Sequence, residues 1–257
     1  MSELIEAIFK THDHVFVGFS GGKDSTALAE LCEPWRDQVT LISVDTGATF
    51  PHMRDRIEQY GERFRLRWLH SDQATIWRDQ GLPSRLVPTA NVDMSGRGVH
   101  NAPLMQAWQA CCYALISAPM NEFLRAQPGA VFLHGQRLSE IAPGYYPSPG
   151  MFEQGSDRYG YKIYAPLKDW TEADVLTFLQ ERGIGLPIQY QYAKGDFSLD
   201  CWNCPAMLQS RRIAFMADHY PDKLSIAADN LRKTHHAGAV EAYNIGEMLV
   251  LAEKPVL

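Results

Sequence analysis

Residues 15 to 32 read VFVGFSGGKDSTALAELC, and no other stretch limits the fold as much. Val15, Phe16, Val17 and Phe19 make an apolar, β-branched run of strand type, and Leu28, Leu31 and Cys32 then return on the stripe of a helix. A glycine-rich turn sits between them. In a strand–turn–helix, the free amides of Gly21, Gly22 and the first helical turn point at whatever lies above the strand's carboxyl end. That place favours an anion. Gly21 and Gly22 let the backbone approach a phosphate closely, Lys23 adds a mobile positive charge, and Ser20 and Ser25 add hydroxyl donors. Asp24 completes the loop.

The loop is not a Walker A motif, because Val17 and Asp24 stand where that motif needs glycine and Ser or Thr. Nor does it match the dinucleotide GxGxxG pattern. The rest of the chain sets the loop in an α/β frame. Strand-type runs fall at HVFVGF (14–19), VTLISV (39–44), RLRWLH (65–70), VFLHG (131–135) and KIYAP (162–166). Helical patterns at 24–34, 51–63, 102–126 and 171–182 separate most of them, which predicts a parallel sheet with helices on both faces. The clearest helix is TEADVLTFLQERG, with Thr171 as cap, an acidic first turn, Val175, Leu176 and Leu179 on one face, and Gly183 as stop. Two long loops remain, 93–103 and 140–160, and the tyrosines of the second suggest a cover over the site.

A chain of 257 residues that is 46% hydrophobic can bury one large core, so one main domain with an appendage is expected. The expected division is a nucleotide-binding domain over 1–190 and a small, mainly helical carboxyl-terminal segment over 191–257. The net charge of −6 removes any global pull toward nucleic acid or anionic membrane. No apolar run is long enough to span a bilayer, and the start MSELIEAIFKTHDH is acidic where a secretory leader would be basic. A cytoplasmic location without membrane partners is the expectation. Arg232, Lys233, His235 and His236 read as a solvated charged face.

Cys32 follows the buried stripe and reads as an inert core thiol. The other four cysteines fall in two tight pairs, Cys111 with Cys112 and Cys201 with Cys204. Four thiolates suit an iron–sulfur cluster or a zinc ion. Adjacent cysteines splay apart and rarely make a simple zinc knuckle, which favours the cluster over zinc or free thiols.

Ser20-Gly21-Gly22-Lys23-Asp24-Ser25 resembles the SGGKDS signature of the PP-loop ATP pyrophosphatases, whose fold is of the adenine nucleotide alpha hydrolase type. The resemblance implies that the loop holds the β and γ phosphates of ATP, with Mg2+, while a substrate attacks the α phosphorus and pyrophosphate leaves. Lys23, Asp24 and Arg137 would then serve the reaction. Asp45, Thr46 and Gly47 resemble the motif lining the adenosine pocket in the subgroup of sulfate adenylyltransferase small subunits and phosphoadenylyl-sulfate reductases. HGQRLSE (134–140), with Arg137 as an anion ligand or else a surface ion pair, and PLKDWTEADVLTFL (166–179) resemble later segments of that subgroup. The likeness runs from about residue 10 to about 205. The cysteine set resembles the [4Fe–4S] ligands of adenylyl-sulfate reductases and of DndC-type DNA phosphorothioation proteins.

Two departures separate the chain from the reductases. They carry a nucleophilic cysteine near the carboxyl terminus, and here no cysteine follows Cys204; they generally lose the loop lysine, and here Lys23 is kept. Sulfate adenylyltransferase fits the loop but does not call for the tetrad. The expected function is therefore an ATP pyrophosphatase that adenylates a substrate for sulfur insertion, of the DndC or SspD type acting on the DNA backbone. A sulfate-assimilation enzyme and a non-catalytic ATP-binding adaptor are the alternatives. The partners expected are ATP, a cysteine desulfurase as sulfur donor, DNA through partner proteins, and a second copy of the chain in a homodimer.

Overall fold

The computed structural model describes residues 2–85, 105–141, 149–192 and 201–252. In chain order its elements are α1 (Ser2–Thr11), β1 (Val15–Gly18), α2 (Lys23–Cys32), β2 (Val39–Asp45), α3 (Pro51–Gly61), β3 (Arg65–His70), α4 (Gln73–Gln80) and β4 (Leu82–Ser84). There follow β5 (Met105–Ala107), α5 (Trp108–Cys112), a π-helical turn (Tyr113–Ser117), α6 (Ala118–Arg125), β6 (Val131–Leu133) and β7 (Lys162–Tyr164). The chain closes with α7 (Glu172–Glu181), α8 (Ser210–His219) and α9 (Pro221–Ala252).

The residues group into two compact units. One comprises Met1–Asp45, Thr49–Ser71 and Ser117–Leu199; the other comprises Thr46–Ala48, Asp72–Ile116 and Asp200–Leu257. In the first, five strands make one sheet in the order β3-β2-β1-β6-β7, every neighbouring pair parallel. The strand alternation of the sequence sorts side chains between two cores, as a pleat with a period of two must. Val15, Val17, Leu41 and Leu133 face Ile5, Ile8, Leu28, Ile57, Val175 and Leu179 on one side, while Phe16, Ile42, Phe132 and Ile163 face Leu124 and Tyr161 on the other. Helices thus cover both faces of the parallel sheet, as the α/β pattern predicts. Cys32 lies fully inside the first core, and burial pushes its thiol up to about 12.

Local signals hold where they were strongest. Thr171 caps α7, its hydroxyl accepting from the Asp174 amide at 3.2 Å while the Asp174 carboxylate accepts from the Thr171 amide at 2.8 Å. Gly183 ends that helix at φ +69°. The helix expected over 102–126 is corrected in two places. Met105–Ala107 is a strand paired in parallel with Leu82–Ser84, so the helix begins at Trp108. It then widens to a π turn at Tyr113–Ser117, which ends two residues before Pro119. A proline ring has no N–H and crowds the carbonyl four residues back, so an α-helix cannot run through this point undisturbed.

In the second unit, an apolar cluster of Ala48, Cys111, Leu115, Cys201, Cys204 and Ala206 is lined by Trp77, Trp108 and Trp202. Arg85 Nε donates to the Ala206 carbonyl at 2.7 Å, and Asn203 bonds Gln73 at 2.7 Å. Of the two long loops, 93–103 lies outside the described residues, as does 142–148 of the second. The described remainder runs beside β7, where Ser156 bridges Ile163 in antiparallel fashion. Among the described residues no helix is long and apolar enough to cross a membrane.

Candidate functional site

The glycine-rich loop emerges where the chain changes direction in the sheet. β1 is central; β2 and β3 extend to one side of it, β6 and β7 to the other. The carboxyl ends of β1 and β6 therefore border the crevice at which ligands of open α/β sheets bind. Gly21 turns the chain at φ +74°, a conformation that costs other residues more. Gly22 caps α2 without a side-chain bond. The Ser20 and Ser25 hydroxyls lie 3.2 Å apart, and Ser25 Oγ donates to the Gly22 carbonyl at 3.1 Å. The loop is thus braced before any ligand arrives.

Lys23 is not a freely waving charge. Its side chain is 3% exposed, with Nζ 3.1 Å from Asp24 Oδ2 and 3.6 Å from Glu172 Oε1. Its backbone amide donates to the Tyr190 hydroxyl at 3.1 Å, and the ammonium stands 5.6 Å from the Tyr190 ring. Asp24 also accepts from Arg137 Nε at 2.7 Å. Arg137 is 2% exposed and spends its remaining nitrogens on Ser139 Oγ at 2.8 Å and Glu140 Oε1 at 3.0 Å. It is therefore a buried ionic link between the loops after β1 and β6, not a surface ion pair. Burial and the neighbouring Asp24 charge raise the Glu140 carboxyl above its ordinary value, with Arg137 pulling the other way. Gly135 makes this closeness feasible: a Cβ on it would lie 3.1 Å from the carbonyl carbon and oxygen of Asp24.

The Asp45, Thr46 and Gly47 segment divides its side chains. Asp45, at the end of β2, forms an ion pair with Arg54 and accepts from Thr49 Oγ1 at 3.5 Å. Thr46 is buried, and its hydroxyl contacts Cys201 Sγ at 3.2 Å. Gly47 adopts φ +77°, with open space where a Cβ would stand.

Three of the four paired cysteines meet in one apolar cluster. Cys111, Cys201 and Cys204 are buried there, and Cys112 is partly buried. Cys201 and Cys204 close a turn in which the Cys204 amide donates to the Cys201 carbonyl at 3.1 Å, and buried Arg212 also donates to that carbonyl. Trp77 Nε1 donates to Cys111 Sγ at 3.3 Å. Burial pushes the Cys111 thiol up to about 11; the Trp77 bond lowers it and nearby Cys204 raises it. Among the described residues no three His, Cys, Asp or Glu side chains stand at metal-binding geometry. The donor types themselves fit a cluster or a zinc ion.

Sequence reasoning missed the groups that complete the loop. Glu140 and Glu172 lay inside segments already singled out, and an acidic first turn was the only signal at Glu172. Tyr190 carried none, being 167 positions from its partner Lys23.

A braced strand–loop–helix at a sheet switch point, with buried cations and carboxylates beside it, defines an α/β protein whose crevice suits an anionic ligand. The comparisons refine this. Residues 14–207 match the phosphoadenosine phosphosulfate reductase domain, and the chain belongs to that family. The chain is similar to the uncharacterized protein MJ0973 of Methanocaldococcus jannaschii, 22% identical over 219 residues, 84% of this chain and 47% of the relative. It therefore spans about half the length of that relative. In structure it is similar to the phosphoadenylyl-sulfate reductase of Candida auris in a phosphate complex, with a TM-score of 0.51 and 13% identity over 77% of this chain and 86% of the other. That likeness concerns the fold.

Proposed function

We propose that the chain is an ATP pyrophosphatase that adenylates a substrate for sulfur insertion. The observation that carries the reading is the complete SGGKDS loop, Lys23 included, set at the carboxyl end of the central strand. A substrate oxygen bonds to the α phosphorus, the bond from that phosphorus to the bridging oxygen breaks, and pyrophosphate leaves. The chain's residues bind and orient. Loop amides and the Ser20 and Ser25 hydroxyls receive the departing phosphates, which enter with Mg2+. Lys23 offsets their charge while Asp24 and Glu172 hold its ammonium in place. The Arg137–Asp24 pair fixes the crevice wall.

The proposed acceptor is the DNA backbone, in a phosphorothioation system with a cysteine desulfurase as sulfur source. The pairing of an ATP-type loop with two cysteine pairs, three of whose thiols share one buried cluster, supports it. Cys111, Cys112, Cys201 and Cys204 would hold a [4Fe–4S] cluster, or a zinc ion, which when bound ties α5 to the 201–204 turn. A second reading, sulfonucleotide reduction, is favoured by the family membership.

Purified protein incubated with ATP, Mg2+ and host DNA is expected to release AMP and pyrophosphate. ADP with orthophosphate, or no turnover, refutes the reading. Deleting the gene in its host is expected to remove phosphorothioate-linked dinucleotides from digested DNA. Cysteine auxotrophy with unaltered DNA would establish the reductase reading instead.

A further inference from the structure

The cations around the loop differ in one respect. Lys23 already faces Asp24 and Glu172, and Arg137 already serves Asp24, Ser139 and Glu140. Arg56, on α3, is partly buried, and its Nε and Nη2 are fully enclosed with no acceptor. The nearby carboxylate, Glu30, is taken by the Tyr60 hydroxyl at 2.7 Å and by two Arg63 nitrogens at 2.7 and 3.2 Å. What Arg56 does have is the Tyr60 ring, 5.8 Å from its guanidinium carbon. Stacking does not satisfy in-plane N–H donors, and a guanidinium shut away from water with unmet donors is costly.

The place of this charge is informative. A Cβ on Gly21 would stand 3.7 Å from Arg56 Cδ, so the arginine stem lies along the glycine-rich turn. The Tyr190 hydroxyl, close enough to interact electrostatically with Arg56, accepts the Lys23 amide at 3.1 Å and would sit 3.4 Å from a Cβ on Gly22. A protein oxygen thus occupies one of the amides that an anion at this helix start would use. Unmet guanidinium donors, an amide held by a neutral oxygen and a positive-φ glycine border the same turn.

We propose that Arg56 is the phosphate-receiving cation of this site, its Nε and Nη2 taking oxygens from the terminal phosphates when the entering nucleotide displaces the groups that enclose them. The inference rests on reading the loop as an ATP site. It gives Arg56 and Lys23 different tasks: the planar fork of Arg56 binds oxygens directionally, while Lys23 supplies a fixed charge.

The test is isothermal titration of the full chain with inorganic pyrophosphate, and separately with ATP, for wild type, Arg56→Gln and Arg56→Lys, alongside thermal melts without ligand. Arg56→Gln is expected to weaken pyrophosphate binding by about tenfold or more, the scale of a lost charge-assisted hydrogen bond. Its melting temperature without ligand is expected to hold or rise, because an unmet charge is removed. Arg56→Lys keeps the charge but not the fork and is expected to bind with intermediate affinity. Wild-type affinity in Arg56→Gln overturns the inference while leaving the ATP reading intact, and a lower melting temperature with unchanged affinity assigns Arg56 to packing against Tyr60. If wild type binds neither pyrophosphate nor ATP, the loop reading fails and this inference with it.

Discussion

Gly135→Ala tests the closest backbone approach at the site. Gly135 follows β6, and the added methyl carbon would lie 3.1 Å from both the carbonyl carbon and oxygen of Asp24 and 3.3 Å from the Ser25 nitrogen. All three atoms are backbone, so no flexible side chain can swing aside. The backbone angle at Gly135 is not in the left-handed region, so the substitution adds contact without conformational strain. Overpacking of this kind costs about 1–3 kcal/mol, which for a domain of this size lowers the melting temperature by roughly 2–12 °C. The displacement falls between the loop and the segment carrying Arg137, so the 2.7 Å Asp24–Arg137 bond is stretched and ATP turnover falls with stability. Gly185→Ala serves as the control. It has open space at its Cβ position and no positive φ, so its melting temperature is expected to stay level or rise slightly as the unfolded chain loses freedom. The assay is thermal melting followed by circular dichroism, paired with pyrophosphate release. Gly135→Ala melting with wild type would refute the reasoning, because it would mean that β6 and α2 are not held at the described separation.

Lys23→Ala is expected to reduce pyrophosphate release by about two orders of magnitude, the usual scale for losing a preorganised charge-stabilising group, and unchanged turnover would remove the loop from the mechanism. For Glu30, burial alone would raise the carboxyl, but hydrogen bonds from Arg63 and Tyr60 outweigh it and hold the carboxyl below its ordinary value. Its stabilising contribution is therefore present above the unfolded-state value near 4.5 and lost as pH falls through the lower folded value, so the urea midpoints of wild type and Glu30→Gln are expected to differ at pH 7 and converge in acid. Cys32, with its thiol pushed up to about 12, is expected to resist a thiol reagent at pH 8 until the protein is unfolded. Anaerobically purified protein is expected to be brown and to carry about four irons with sulfide, and Cys201→Ser is expected to lower its melting temperature; one zinc and no iron would assign the tetrad a structural ion.

The five strands of the sheet, the capped start of α7 and the glycine-rich turn between β1 and α2 were all legible in the sequence, because each is decided within a few consecutive residues. Alternation sorts Val15 and Val17 from Phe16 whatever lies beyond them, and a threonine three positions before an aspartate closes its capping box locally. The three-residue strands β4 and β5 were not legible, being too short to show a period, and the helical pattern over 102–126 did not reveal the π turn that precedes Pro119. The chemistry around the loop depended on loop closure over long separations. Arg137 reaches Asp24 across 113 positions and Tyr190 reaches Lys23 across 167, and nothing beside either residue marks its partner. Sequence could place Thr46 beside a nucleotide motif, but only folding turned its hydroxyl to Cys201. In the same way, the lysine of the loop was visible as a charge from the start, whereas its burial between two carboxylates, and the unmet donors of Arg56 along the turn, exist only once α2, α3 and α7 pack together.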